Sequence, residues 1–168
     1  MPIYMNYPGA KGDVSSVDHT GWVEILEMNF DITKKDKKRS GQDDSEEQDE
    51  RAKVEHSSVI VRKDTDSASA ALINMMVEAT KTDTVVIEAV KENDQWWYRY
   101  TLFGVTVHQF TMDGQEADVP EETVTLKCDT LRIDTVWVMK DNVTEGAKSA
   151  DWWACVPNPE SDDGSFPP

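Results

Sequence analysis

Alternation of apolar and polar residues with a period of two dominates the chain and predicts a mainly β protein. The first predicted strand covers residues 3–7 and ends at the turn signal Pro8-Gly9. The next covers residues 22–32, where the alternation changes phase near its middle, as a β-bulge would cause. Five further candidate strands lie at residues 58–63, 84–91, 95–103, 105–112 and 123–139, the last of them broken near Asp129.

One amphipathic helix is predicted at residues 67–80. Asp66 precedes it and is the candidate helix cap, because an aspartate oxygen at that position accepts a hydrogen bond from the first turn. The apolar residues recur at intervals of three and four and so form one stripe, as expected of a helix that lies on a sheet: Ala68, Ala71, Leu72, Met75, Met76 and Ala79.

So many strands with a single helix predict an antiparallel β-barrel of two packed sheets over residues 1–140, with the helix on its side. Residues 34–56 interrupt this pattern as an extended charged loop, basic at its start and acidic afterwards. The loop has almost no apolar residue to bury, so a partner surface would have to order it.

The C-terminal tail, residues 141–168, is too short to fold as a domain of its own. We expect Trp152 or Trp153 to anchor it against the barrel or a neighbouring molecule. Residues beyond Pro159 are rich in Ser, Asp, Gly and Pro, and we expect them to be disordered.

The net charge of −16 over 168 residues excludes several classes of partner. A surface this acidic repels phosphate backbones and anionic headgroups, which argues against nucleic-acid binding and peripheral membrane attachment. No stretch is apolar enough for membrane insertion, and the first residues resemble no secretion signal, so we expect the chain to start in the cytoplasm. Any assembly of many copies must offset their mutual repulsion, so its stability should depend on salt.

The sequence predicts no enzyme, cofactor or metal site. Cys128 and Cys155 match no zinc or redox spacing and are expected to be reduced thiols. The three histidines lie far apart in sequence, and no nucleophile motif is present. The carboxylate pair Glu121-Glu122 and the acidic run at residues 43–50 lack the spacing of a calcium loop and are interpreted as solvated charge.

An aromatic run, residues 95–100, leaves an alternative open. Trp96, Tyr98 and Tyr100 should share one strand face and Trp97 should lie on the other. One face packs the core, whereas the second would contact either a neighbouring subunit or a ligand. A monomeric β-sandwich that binds carbohydrate through Trp96, Trp97 or Trp152 is therefore the first alternative, and a small hydrolase is the second.

Three parts of the chain resemble the Hcp (haemolysin-coregulated protein) family of type VI secretion tube proteins. The opening Tyr7-Pro8-Gly9-Ala10-Lys11-Gly12-Asp13, followed by Gly21-Trp22-Val23-Glu24-Ile25, looks like the start of these proteins. Residues 59–69, Val-Ile-Val-Arg-Lys-Asp-Thr-Asp-Ser-Ala-Ser, are similar to the family's strand-to-helix junction. Residues 134–139 and 146–152 resemble its last strand and tail.

The resemblance implies a structural subunit that forms homo-hexameric rings, which stack into the inner tube of a contractile injection apparatus. A contractile sheath and a spike protein would be its partners, the ring lumen would carry effectors, and the chain would leave the cell through the apparatus without a cleaved signal peptide. Residues 34–56 depart from the family because they are far more charged. The candidate subunit or ring interface comprises Lys34, Lys35, Lys37, Lys38, Arg39, Asp43, Asp44, Glu46, Glu47, Lys63, Asp64, Asp66 and Trp152.

Overall fold

The computed structural model describes residues 1–35, 53–91, 96–114, 118–136 and 149–157. These residues form eleven strands and one helix. Their bounds are β1 Ile3–Asn6, β2 Val23–Ile25, β3 Glu27–Asn29, β4 Ile32–Lys35, β5 Lys53–His56, β6 Val59–Asp64, α1 Ser69–Val77, β7 Thr82–Val90, β8 Trp96–Asp113, β9 Glu121–Lys127, β10 Thr130–Val136 and β11 Ser149–Pro157.

The paired strands are antiparallel, and nine of them form one sheet. The main path is β2-β1-β7-β8-β9-β6-β3, and β10 joins β11 to β8 beside it. Its two ends, β2 and β3, follow each other along the chain and are separated only by Leu26, whose N–H donates to the carbonyl of Arg62 at 2.8 Å. The ends of the sheet are thus joined by the chain itself and not by hydrogen bonds between β2 and β3. The prediction of a mainly β, antiparallel fold with one helix is confirmed.

Two strand predictions were wrong in their boundaries. The predicted strand at residues 22–32 is divided into β2, β3 and the start of β4, because the chain leaves β1 after Ile25 and pairs with β6 from Glu27 onward. The two strands predicted at residues 95–103 and 105–112 are the single long strand β8. Gly104, with φ +62°, lies within β8 next to the point where its pairing passes from β7 to β9.

Buried apolar residues from both halves of the sheet and from α1 form one core. The helix contributes Leu72 and the preceding turn contributes Ala68, which agrees with the predicted apolar stripe. The strands contribute most of the remaining buried apolar side chains, among them Met5, Val23, Val59, Val61, Val85, Ile87, Leu102, Val124, Leu126 and Leu131.

The helix is shorter than the predicted 67–80. At its start, residues 67 and 68 form a turn, so α1 begins at Ser69. At its end, Ala79 adopts φ 50°, and the N–H groups of Ala79 and Thr80 donate to the carbonyls of Met76 and Met75. This pair of hydrogen bonds around a left-handed residue is the Schellman motif, which usually has glycine at that position.

The charged loop and the tail are partly ordered as strands. The prediction of a continuous loop at residues 34–56 was wrong at both ends, because β4 and β5 pair with each other as a separate two-stranded sheet. In the tail, β11 pairs along the whole of β10, with a register shift beside Asp134. Residues 36–52 and those after 157 lie outside the described residues, as does the predicted disorder beyond Pro159.

Cys128 lies between β9 and β10 and is almost fully buried. Its Sγ is 3.8 Å from Nε2 of His56, whose Nδ1 contacts the carbonyl of Ser57 at 2.7 Å. Burial, followed by the nearby charge of Asp129, raises the pKa of the Cys128 thiol from 9.0 to about 12. The thiol is therefore neutral in the folded chain at physiological pH.

Replacing Ala79 with glycine should stabilise the protein. A left-handed conformation costs a non-glycine residue roughly 1–2 kcal/mol, and the greater freedom of glycine in the unfolded chain returns part of that, so we expect a gain of about 0.5–1 kcal/mol. Urea denaturation measures the change. Ala71→Gly, inside α1, is the control and should destabilise by about 1 kcal/mol. A loss of stability in Ala79→Gly would contradict this account of the helix end.

The thiol of Cys128 should be unreactive until the protein unfolds. In a Cys155→Ser background, a chromogenic disulfide reagent at pH 8 should modify Cys128 slowly in the folded protein and rapidly in denaturant. Because the thiol pKa is higher in the folded state, its contribution to stability is complete below pH 9 and declines as the pH rises toward about 12. Fast modification of the folded protein would show that Cys128 is accessible.

Candidate functional site

The strand-to-helix junction between β6 and α1 contains a buried lysine. The burial of β6 alternates along its length, with Val59, Val61 and Lys63 facing inward. Lys63 pairs directly with Glu122 of β9, which also faces inward. Both side chains are fully buried, so two opposite charges meet inside the subunit.

Lys63 is surrounded by oxygen atoms. Its Nζ lies 2.6 Å from Oε2 of Glu122 and 2.8 Å from Oδ1 of Asp66. It also donates to Oγ of Ser69 at 3.0 Å and to the carbonyl of Asp64 at 2.7 Å. The Ser69 hydroxyl lies 2.8 Å from the same Glu122 oxygen. This set, Lys63, Asp66, Ser69 and Glu122, is called the junction cluster below, and it ties β6, β9 and the start of α1 together.

Two sequence predictions are corrected here. Glu122 was expected to be solvated beside Glu121, but its position in the alternation of β9 turns it inward onto Lys63. Lys63 was expected at a subunit interface, but its side chain is enclosed within the subunit. Glu121 itself is exposed and pairs with Arg62 on the outer face.

Asp66 lies two residues before the helix cap. Its Oδ1 accepts a hydrogen bond from the N–H of Ala68 at 3.0 Å, within the turn that precedes α1. The cap residue of α1 is Ala68, which makes no side-chain capping bond. The prediction that Asp66 is the helix cap was therefore wrong by two positions. Its carboxylate instead accepts a hydrogen bond within the turn before α1 and forms an ion pair with Lys63.

The loop between β1 and β2 is attached to this junction. Ser67 donates to Asp13 from its hydroxyl at 2.6 Å and from its backbone N–H at 3.1 Å. These hydrogen bonds, first from the side chain and then from the backbone, lower the pKa of the Asp13 carboxyl. The Ser67 hydroxyl is also 2.9 Å from the carbonyl of Lys11. The loop and the helix start thus form one unit.

A second attachment fixes the same loop to the sheet. Nε2 of His19 is 2.8 Å from Oε2 of Glu88 on β7, and both side chains are almost fully buried. The other oxygen of Glu88 accepts a hydrogen bond from Nε of Arg99 on β8 at 2.5 Å. The histidine and glutamate therefore form a structural contact between the loop and the outer face of the sheet.

Two of the tryptophans predicted as possible ligand contacts, Trp96 and Trp97, are partly covered. The guanidinium of Arg99 lies 4.5 Å from the ring centre of Trp96, and the ammonium of Lys91 lies 4.3 Å from that of Trp97. One face of each ring is thus occupied by a cation of the same chain. A sugar would have only the opposite face of each ring available, which disfavours the carbohydrate-binding alternative.

The described residues contain no group of three side chains that would hold a metal ion. No helix in this part of the chain is long and apolar enough to cross a membrane. The buried pairs His19 with Glu88 and Cys128 with His56 face protein rather than a cleft. Among the described residues, these arrangements stabilise the fold.

The remaining predicted interface residues that the structure describes lie on three different strands. Lys34 is exposed on β4, Lys35 ends the same strand, and Trp152 lies on β11. Asp64 is exposed at the end of β6, next to the junction cluster. The other predicted residues lie outside the described part of the chain: Lys37, Lys38, Arg39, Asp43, Asp44, Glu46 and Glu47.

Sequence reasoning missed four residues that organise the site: Ser69 and Glu122 of the junction cluster, and the pair His19 and Glu88. A signal for Lys63 and Glu122 was present, because both continue the inward phase of a strand whose other inward residues are apolar. The sequence contained no pattern that predicts the contact between His19 and Glu88, because these residues are 69 positions apart.

Breaking the junction cluster on one side should destabilise the protein strongly. Lys63→Met leaves Glu122 as an unpaired buried charge and should cost about 3–5 kcal/mol of unfolding free energy. The double variant Lys63→Met with Glu122→Leu should lose less, because no buried charge remains. Urea denaturation measures all three proteins.

Arg62→Met is the matched control for this series. Arg62 neighbours Lys63 on the same strand but faces outward, where it bridges Glu27 and Glu121. Its replacement should change stability little, because exposed ion pairs contribute little. Equal losses for Lys63→Met and Arg62→Met would contradict the role assigned to the buried pair.

Comparison with known proteins identifies the family. The family model described as "Type VI secretion system effector, Hcp" matches residues 4–134. A solved structure described as a type six secretion system protein is 19% identical, with a TM-score of 0.75 over 86% of this chain and 90% of that chain. Hcp1 from Salmonella typhimurium is also 19% identical, with a TM-score of 0.68 over 80% of this chain and 86% of that chain.

A type VI secretion system effector from Yersinia pestis is 15% identical, with a TM-score of 0.69 over 92% of this chain and 98% of that chain. A search of the curated proteins found no match. At these identities the solved structures establish the fold, and the family model establishes the family. The chain belongs to the Hcp family of type VI secretion system proteins.

Proposed function

We propose that this type VI secretion tube subunit assembles with identical copies into six-membered rings, and that the rings stack into a hollow tube. The observation that carries the proposal is the family match over residues 4–134. The antiparallel sheet with a single side helix agrees with it, because the solved Hcp structures share this fold. The function is mechanical: the chain acts by assembling and not by catalysing a reaction.

A ring places strong demands on the charge of its subunits. Each copy has a net charge of −16, so neighbours repel one another across any contact that lacks local pairing. A ring also needs two different, complementary surfaces on each subunit, since the same contact must repeat head to tail until it closes. Exposed cations on an otherwise acidic chain are therefore natural candidates for one of those surfaces.

The charged segment 34–56 supplies such cations. Its basic start, residues 34–39, begins within β4, and the pairing of β4 with β5 fixes the base of the segment. We infer that this segment contacts an adjacent subunit, with its basic residues meeting acidic surface there. The support is the sign and position of the charges and the exposure of Lys34.

The apparatus would supply the remaining partners. A contractile sheath would surround the tube, a spike protein would cover its tip, and effector cargo would occupy the lumen. The chain would be made in the cytoplasm and leave the cell inside the apparatus. Nucleic acids and membranes would not be among its partners, because an acidic surface repels phosphate groups.

Light scattering across a salt series tests the ring directly. At sufficient protein concentration we expect a species of about six times the 19.0 kDa chain mass. Its fraction should rise between about 10 mM and about 150 mM salt, because the Debye length shortens from about 30 Å to about 8 Å and the mutual repulsion is screened. A monomer at every salt and protein concentration would overturn the proposal.

A further inference from the structure

A cavity of about 140 Å³ opens beside the junction cluster. It lies where the loop after β1, the β2 to β3 connection and the end of β6 come together. Its lining consists of four carboxylates and two apolar side chains, namely Asp13, Asp64, Asp66, Glu24, Val14 and Leu26. The cavity is therefore acidic on one part of its wall and apolar on another.

Two of its carboxylates are already engaged and two are not. Asp13 accepts hydrogen bonds from Ser67, and Asp66 pairs with Lys63. Glu24 and Asp64 are exposed and have no side-chain partner among the described residues. The cavity thus presents uncompensated negative charge to the outside of the subunit.

The apolar part of the wall is also open. Leu26 retains 48% of its accessible surface, and Val14 is half-buried. A lysine side chain suits such a wall, because its methylene stem covers apolar surface while its ammonium group reaches carboxylates. A bare metal ion suits it less well, since no three described carboxylates are grouped to hold one.

We propose that this cavity receives Lys34 from a neighbouring copy of the chain. The proposal rests on the proposed ring or tube assembly, and it identifies the acceptor surface for the basic segment. Arg62, Lys81, Arg99 and Arg132 already pair with carboxylates of their own subunit. Lys34 is exposed on β4 and has no ion-pair partner among the described residues.

The two surfaces are complementary in charge and lie on different sheets. β4 belongs to the two-stranded sheet, whereas Glu24 and Asp64 lie on β2 and β6 of the nine-stranded sheet. A contact between different surfaces of identical chains repeats from subunit to subunit, as a ring or a stack requires. The same contact also offsets repulsion at a point where two acidic subunits approach.

Cysteine cross-linking between different copies tests the contact. All proteins carry Cys155→Ser, and one population carries Lys34→Cys while the other carries Asp64→Cys. After the two are mixed under assembly conditions, a short bifunctional maleimide should give a cross-linked dimer of the two variants. Glu78→Cys, at the exposed end of α1, replaces Asp64→Cys in the control and should give at least tenfold less product.

Charge exchange provides a second measurement on the same pair. Lys34→Glu should raise the protein concentration needed for half-assembly by about tenfold, because it places like charges together. Adding Asp64→Lys to Lys34→Glu should restore most of the loss. The control adds Glu78→Lys to Lys34→Glu, which returns the net charge to −16 at the exposed end of α1 and should restore much less of the loss.

The outcomes separate this proposal from the ring proposal. If wild-type rings form but Lys34→Cys cross-links equally to Asp64→Cys and Glu78→Cys, the cavity is not the acceptor, and the ring stands. If rings form and the charge exchange gives no recovery, the pairing of Lys34 with the cavity is likewise overturned. If the wild-type chain stays monomeric, the assembly itself is overturned.

Discussion

The buried ion pair between Lys63 and Glu122 is the constraint on which the surrounding structure depends. Two charges with no exposed surface are tolerated only when each has partners. Asp66 and Ser69 add to the contacts of Lys63, and Ser69 also bonds Oε2 of Glu122, whereas Oε1 of Glu122 is buried without a hydrogen-bond partner among the described residues. Those partners sit at the start of α1, so the helix must begin where it does for the pair to be satisfied. Strand register, helix position and the turn between them are thereby coupled.

The loop after β1 is held in place by contacts to this junction and to the sheet. Asp13 is held by Ser67 within the same turn, and His19 is held by Glu88 on the sheet. The loop therefore lies against the sheet and the junction, and with β2 and β6 it encloses the acidic cavity. A surface suited to a partner's lysine is in this way a consequence of how the buried lysine is packed.

Alternation in the sequence predicted the strands and the helix because side-chain burial follows the geometry of each element. The strand limits were harder to predict, since the break at Leu26 depends on a change of pairing partner. The continuity of β8 through Gly104 likewise depends on its partners, which change from β7 to β9 close to this residue. Lys63 and Glu122 were expected on the outer surface because they are charged. Their positions in the alternation of β6 and β9, however, belong to the inward-facing set. For this pair the strand phase determined burial, and it could do so because the opposite charge stands directly across the ladder.

The most direct test of the central claim, that this chain is a ring-forming tube subunit, is cryo-electron microscopy of the purified full-length protein at high concentration and near-physiological salt. The account predicts closed rings with six-fold symmetry, with the nine-stranded sheet and its side helix recognisable in each subunit. Particles of a single copy, or dimers closed by a two-fold axis, would contradict it.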